Sequence, residues 1–358
     1  MSKAVFVTSW SLSLGEGSGT ALFVRALQRA VQARGTTVDM INPVLDTRDY
    51  IQFTLERLWF NVQLAHDPRT EADWILGLDY DGFAIPRRAG SRFIGTARAV
   101  FADLVETEPE PFRTMLRTQA FFEGHNLRNS DLVITPSEYA RQKVVEYYSV
   151  TAEKVHAIPN GIDLEEWDRL WAAIPEPDLS RRPTVLAVSK LYPRKKIDTL
   201  VRAAPMIAQQ YPEIEIRIVG GGFEWENLHR LSREVGAEPY ITWLGDINDR
   251  QRVVAEFKSC HVFTHPSIQD AFANVCLESM ASSRPLVVSD AASMPDMLRS
   301  ANSGLVVTPE DPEALAGAIC SLLNDEKRRA SYGANGRKYA EKMTWQRTAD
   351  LFIQLAQV

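Results

Sequence analysis

Residues 265–290 read H-P-S-I-Q-D-A-F-A-N-V-C-L-E-S-M-A-S-S-R-P-L-V-V-S-D. The apolar run 261–265 entering this stretch reads as a buried strand, and 285–289 reads as the next one. Between them Asp270 and Glu278 flank seven residues. Asn274 is a suitable N-cap for a helix through about residue 283, because its side chain can accept from the first free amides. Asp270 then lies in the loop at the strand's C-terminal end, and Glu278 sits one turn into the helix. The positive end of that helix falls between two carboxylates, an arrangement suited to a polyhydroxylated ligand with a negative leaving group. Taken alone, the stretch is equally compatible with a strand, a loop and a helix carrying two solvated acids.

The same alternation extends outward in both directions. Downstream of 183, strands are expected near 184–189, 215–219, 240–244, 261–265, 285–289 and 304–307, each followed by a helical pattern. The last helices run over about 312–342, and Thr344 caps one to the C-terminus. Upstream, strands are expected at 4–10, 37–43, 73–79, 91–97, 132–135 and 155–158, with helices over about 20–34, 50–66, 112–129 and 138–148. Strands alternating with helices imply parallel, doubly wound sheets. The proline- and charge-rich stretch 165–183 breaks the rhythm. The expected organisation is therefore a first domain over 1–165, a linker over 166–183 and a second domain over 184–342. A C-terminal helix, 343–358, is a candidate to pack back on the first domain. Two such domains would face each other across a cleft at the C-terminal edges of their sheets.

Composition narrows the function classes. At 358 residues two domains are the natural expectation, and 45% hydrophobic with 24% charged residues is ordinary for a globular protein. A net charge of −6 and a pI of about 5.7 argue against a nucleic-acid partner held by phosphate neutralisation. Residues 1–165 carry 17 Lys and Arg against 21 Asp and Glu, so at most weak peripheral membrane contact is expected. Cys260, Cys276 and Cys320 lie in or beside apolar segments without metal-ligand spacing, which suggests a reduced compartment. The apolar run at the start is too short for a signal peptide and no stretch approaches a spanning helix, so the expectation is a cytoplasmic protein.

Three further stretches bear chemistry. S-L-S-L-G-E-G-S-G-T (11–20) follows the first strand and precedes a helix, the layout of a phosphate cradle, although Gly15, Gly17 and Gly19 match neither the dinucleotide fingerprint nor the P-loop. S-K-L-Y-P-R-K-K (189–196) puts Lys190, Lys195, Lys196 and Arg194 at the end of the second domain's first strand. In a parallel sheet this is the edge that carries Asp270, where lysines can stabilise charge growing on a diphosphate. Arg87, Arg88, Arg92 and Arg98 fall within twelve residues. They form either a solvated loop or a dock for a carboxylate or phosphate on a second substrate.

Over nearly the whole chain these blocks resemble the retaining nucleotide-sugar glycosyltransferases of family 4, which have the GT-B fold. Lys190 and Lys195-Lys196 resemble the family's Gly-Arg and Lys-Gly pattern. D-A-F-A (270–273) and Glu278 resemble its acid–seven–acid motif. W-L-G (243–245), H-P-S (265–267), R-P-L-V-V-S-D (284–290), S-D-L-V-I-T-P-S (130–137) and I-P-N-G-I-D (158–163) resemble neighbouring blocks. The resemblance implies that Glu278 binds the ribose hydroxyls and that Lys190 and Lys195 hold the diphosphate, assisted by backbone at Gly17, Ser18 and Gly19. It also implies that Asp270 and the amides of Phe272, Ala273, Asn274 and Val275 hold the sugar. With Asp270, Lys195 and Lys190 as the catalytic set, no cofactor or metal is expected, the departing phosphate taking the acceptor's proton.

The sequence departs from the family pattern in several places. Asp270 stands for the usual Glu, Ala273 for a Gly and Lys190 for an Arg. No histidine follows the strand at 91–98, where Thr96 or Arg98 takes its place, and His66 and His125 read as surface or helix residues. Thr96 and the four arginines are the candidates for acceptor binding. The expected activity is transfer of a sugar, from UDP most commonly in the family, to an acceptor hydroxyl with retention. The alternatives are another GT-B enzyme, a nucleotide-sugar epimerase or a glycan phosphorylase needing pyridoxal phosphate, or a non-catalytic sugar-nucleotide-binding subunit.

Overall fold

The structure, a computed structural model, describes residues 2–12, 19–45, 49–180 and 182–357. It divides into two compact units, Met1–Gly161 with Trp345–Val358, and Ile162–Thr344.

In the first unit the elements follow in the order β1 (Lys3–Val7), α1 (Gly19–Gln32), β2 (Thr37–Ile41), α2 (Tyr50–Gln63), β3 (Trp74–Leu78), β4 (Arg92–Thr96), α3 (Phe101–Leu104), α4 (Phe112–Arg128), β5 (Leu132–Thr135), α5 (Glu138–Tyr148) and β6 (Val155–Ala157). The strands form one parallel sheet ordered β2-β1-β3-β4-β5-β6. Every residue of β3 and β5 is buried, as continuous apolar runs in a sheet covered on both faces require. One face packs against α1 through Phe23, Val24, Leu27 and Val31. Onto the same face comes α14 (Trp345–Gln357), the last helix of the chain, which buries Trp345, Ala349, Phe352 and Ala356. β1 ends at Val7, short of the expected Trp10. Ser9 leaves the ladder to give its N–H and hydroxyl to Asp81 at 2.6 and 2.7 Å, and the Trp10 indole donates to Asp79 at 2.7 Å.

The second unit opens with α6 (Leu164–Ala173), which crosses the expected boundary at 165 and takes up the first half of the segment expected as linker. Asp163 caps it, and Trp167 is buried within this unit's own core. There follow β7 (Thr184–Val188), α7 (Ile197–Gln210), β8 (Glu215–Val219), α8 (Trp225–Glu234), β9 (Ile241–Gly245), α9 (Arg250–Lys258), β10 (Val262–His265), α10 (Asn274–Ala281), β11 (Leu286–Ser289), α11 (Met294–Ala301), β12 (Gly304–Val307), α12 (Pro312–Asn324) and α13 (Glu326–Ala340). This sheet is also parallel, ordered β12-β11-β10-β7-β8-β9. Its two faces carry separate apolar layers, one under α7 and α12, the other under α9, α10 and α11. β7 and β10 are direct neighbours, with Val185 opposite Val262 and Leu186 opposite Phe263. The loops leaving both strands therefore emerge side by side at one edge.

Candidate functional site

That shared edge assembles the site. The loop after β7 forms a single 3-10 turn at Pro193–Lys195, and Lys196, at φ 49°, starts α7. The loop after β10 is stitched to it. Ile268 N–H donates to Arg194 O at 2.9 Å, and Ser267 Oγ donates to the same oxygen at 3.2 Å. This anchoring brings Lys195 Nζ to 2.5 Å from Asp270 Oδ2. His265, the last residue of β10 and only 2% exposed, places Nε2 at 3.0 Å from the same oxygen. Burial pulls the His265 imidazole below its ordinary pKa, with Lys195 pushing the same way against the Asp270 bond. The neutral ring therefore donates through Nε2–H. Burial would raise the Asp270 carboxyl, but the Lys195 ammonium and the His265 bond outweigh it and hold the group well below the usual carboxylate range.

Glu278 lies in the second turn of α10 and is 7% exposed. Its Oε1 accepts from Arg250 Nη1 at 2.8 Å. Between the two acids, the structure corrects the expected cap. Ala273, not Asn274, occupies the N-cap position of α10, with no side-chain cap, and the helix ends at Ala281. The Asn274 N–H turns back onto Phe272 O at 3.1 Å. The N–H groups of Phe272, Ala273 and Val275 find no acceptor among the described residues. They are donors held open at a helix N-terminus, between a carboxylate on each side.

Lys190 is tied to a different acid from Lys195. Its Nζ pairs with Asp246 Oδ1 at 2.9 Å, and Asp246 also accepts the Gly221 N–H at 3.0 Å. Lys196 pairs with Glu310 at 2.5 Å. The Gly220–Gly222 run permits this crowding. A Cβ on Gly220, whose φ is +132°, would lie 1.8 Å from Ser189 O, so the β8 loop lies against the β7 loop only without a side chain there.

The first-unit candidates separate. Gly17 and Ser18 lie outside the described residues, and Gly19 begins α1. The four arginines do not form one dock. Arg87 donates to the carbonyls of Gly82, Ile85 and Asn129 and stacks 3.5 Å from the Phe93 ring centroid; burial brings its pKa down to about 10. Arg88 pairs with Glu71, and Arg92 reaches Leu355 O in α14. Arg98 bonds Asn160 and lies 3.8 Å from the Phe23 ring centroid, its pKa lowered by burial to about 9. Thr96 is buried, its hydroxyl directed to Gly77 O at 3.3 Å. Among the described residues no group of three or more His, Cys, Asp and Glu side chains could hold a metal ion. Among the described residues no helix is long and apolar enough to cross a membrane.

Sequence reasoning quoted His265 only as part of a block and missed Arg250. The histidine's place five residues before Asp270, at the end of a buried strand, was the available signal. Arg250 offered none, since it lies 28 residues before Glu278 on another helix.

Two family models match the chain, "Glycosyltransferase Family 4" over residues 17–166 and "Glycosyl transferases group 1" over residues 174–339. The chain is similar to the GDP-mannose-dependent alpha-(1-6)-phosphatidylinositol monomannoside mannosyltransferase of Mycolicibacterium smegmatis, 28% identical over 59% of this chain and 58% of that protein. It is also similar to the D-inositol 3-phosphate glycosyltransferase of Stackebrandtia nassauensis, 30% identical over 68% of this chain and 57% of that protein. It thus spans somewhat more than half the length of these relatives. Among solved structures, sucrose-phosphate synthase from Thermosynechococcus elongatus superposes with a TM-score of 0.81 at 21% identity, covering 100% of this chain and 98% of that one. Anabaena HepE in complex with UDP and glucose gives 0.75 at 18%, covering 100% of both chains. These likenesses carry the two-sheet fold. With one family model on each half and the acid–seven–acid motif at the edge of the second sheet, the chain belongs to the family 4 glycosyltransferases of the GT-B fold.

Proposed function

We propose that this protein transfers a sugar from a nucleoside-diphosphate sugar to an acceptor hydroxyl, with retention of the anomeric configuration. The observation that carries the reading is the Lys195–Asp270–His265 cluster, set beside open amides at the start of α10 and one turn from Glu278. Asp270 accepts from sugar hydroxyls. Lys195 lies between that carboxylate and the diphosphate, so its ammonium gains interaction energy as the leaving group becomes more negative. Glu278 accepts from the ribose. Lys190 takes part on the diphosphate only by exchanging Asp246 for it. The acceptor oxygen attacks the face from which the phosphate departs. The anomeric carbon–oxygen bond to phosphate breaks, and the acceptor's proton passes to the departing phosphate oxygen. Neither metal nor cofactor enters this scheme.

Support for the donor's base comes from two directions. The M. smegmatis relative is named for GDP-mannose, and the HepE structure contains UDP at lower identity. GDP-mannose therefore joins the UDP-sugars expected from the sequence as the first donors to test. Calorimetric titration with GDP, UDP and ADP, followed by donor turnover with chiral analysis of the product, tests the reading. One of the three should bind and its sugar should be transferred with retention. Binding of none of them, or an inverted product, overturns it.

A further inference from the structure

Glu278 is a buried carboxylate with one oxygen engaged and one open. Oε1 accepts from Arg250, and Oε2 accepts from no described residue. Arg250 starts α9, and its guanidinium stands 5.0 Å from the centroid of the buried Trp167 ring. The Trp167 indole donates to Ser282 Oγ at 3.2 Å, and Ser282 Oγ donates to the backbone oxygen of Glu278 at 2.9 Å. The contacts form a closed ring, from the Glu278 carboxylate through Arg250, Trp167 and Ser282 back to Glu278. α6, α9 and α10 each supply a member.

From this ring we infer that Arg250 is a positioning residue for nucleotide recognition, holding the Glu278 carboxylate so that Oε2 faces the ribose. The inference rests on the donor-site reading of Glu278 given above. A Glu side chain has three rotatable bonds, and fixing it before binding removes the entropy cost of ordering it around a ligand. A planar guanidinium suits the task, since it can hold one carboxylate oxygen while its face lies on an aromatic ring. The Arg250 side chain is 37% exposed, so its replacement leaves the core intact.

The test is calorimetric titration of the full chain, wild type, Arg250→Met and Arg250→Lys, with UDP and GDP and with their 2′,3′-dideoxy forms. The ratio of ribose to dideoxyribose affinity reads the contacts made to the ribose hydroxyls, which the Arg250 variants change through Glu278. The wild type should prefer the ribose form of its nucleotide by at least about tenfold, a charge-assisted hydrogen bond's worth. Arg250→Met should bring that ratio close to one. Arg250→Lys, which keeps the charge but not the planar fork, should fall between and decides the matter alone if Arg250→Met does not fold. A wild-type ratio preserved in Arg250→Met, or equal weakening of both nucleotide forms, overturns the positioning role while the donor reading stands. A wild type that binds neither UDP nor GDP overturns both.

Discussion

At Asp270 two donors converge on a single oxygen, and each has a consequence that can be measured. His265 is buried with its pKa depressed, so the folded state binds fewer protons than the unfolded one as pH falls through the imidazole range. Its contribution to stability is therefore complete above the unfolded value of about 6.5 and is lost as pH drops towards the folded pKa. His261 is lowered by burial too and adds to the same slope. Thermal midpoints should fall between about pH 7 and 5, and His265→Asn should make that decline shallower. Asp270, also depressed, acts in a separate window, its contribution present above about 3.9 and lost in stronger acid. Lys195→Ala leaves Asp270 with His265 as its partner. Turnover should fall by roughly 10²-fold or more while nucleotide affinity changes far less, because the charge Lys195 offsets is largest in the transition state. A kcat unchanged from wild type would remove Lys195 from the chemistry.

Among the elements, α10 and α2 each break a local rule. α10 has Ala273, a poor capping residue, at its N-cap, among the open amides of Phe272, Ala273 and Val275. Ala273→Ser supplies a capping oxygen and should stabilise the fold by roughly 0.5–1 kcal/mol. The same oxygen competes for the amides assigned to the donor, so nucleotide affinity should drop as the melting temperature rises. α2 is inverted. It turns Thr54, Arg57 and Asn61 inward and leaves Leu55 and Trp59 60% and 63% exposed. Inside, Arg57 contacts Ser9 Oγ at 2.6 Å, lies between the Trp10 and Tyr80 rings and stands 3.8 Å from Asp81. Arg57→Met strips the cation from a fully buried acid and should cost about 3–5 kcal/mol in chemical denaturation. Leu55→Gln, on the outer face, should stay within about 0.5 kcal/mol of wild type.

For the molecule as a whole, the chain's last helix belongs to its first unit. α14 packs Trp345 and Phe352 against Phe23, and Asp350 pairs with Arg34 of α1. Ending the chain at Thr344 removes Trp345 and Phe352 and uncovers the apolar side chains they cover, Phe23 among them, each worth roughly 1.5–3 kcal/mol when buried. Hydrogen exchange should then accelerate through α1 and the strands beneath it, while α7 and α12 keep their protection. Uniform protection in the truncated chain would show that α14 adds nothing to that unit.

Much of this organisation was legible before any coordinates. The alternation of apolar runs with helical periodicity located all twelve strands among the described residues, and the strand–loop–helix layout around Asp270 and Glu278 was read correctly. Lys195 was legible because parallel neighbours release their loops on the same side. The boundaries proved harder to read. The prolines at 175, 177 and 183 suggested a linker, yet Leu164–Ala173 folds as a helix because Trp167 finds a core to bury in. Arg87, Arg88, Arg92 and Arg98 looked like a cluster because they are close along the chain. In three dimensions they serve separate neighbours, since a turn and a strand direct them apart.

The sequence by itself therefore determined the element order, the two parallel sheets and the family motif. Those depend on periodicity and turn chemistry that act within a few residues. Only the tertiary structure decided which charge meets which: Lys195 with Asp270, Lys190 with Asp246, Arg250 with Glu278. An ion pair forms between atoms about 3 Å apart, and which side chains come that close depends on how helices and loops distant in the chain pack together.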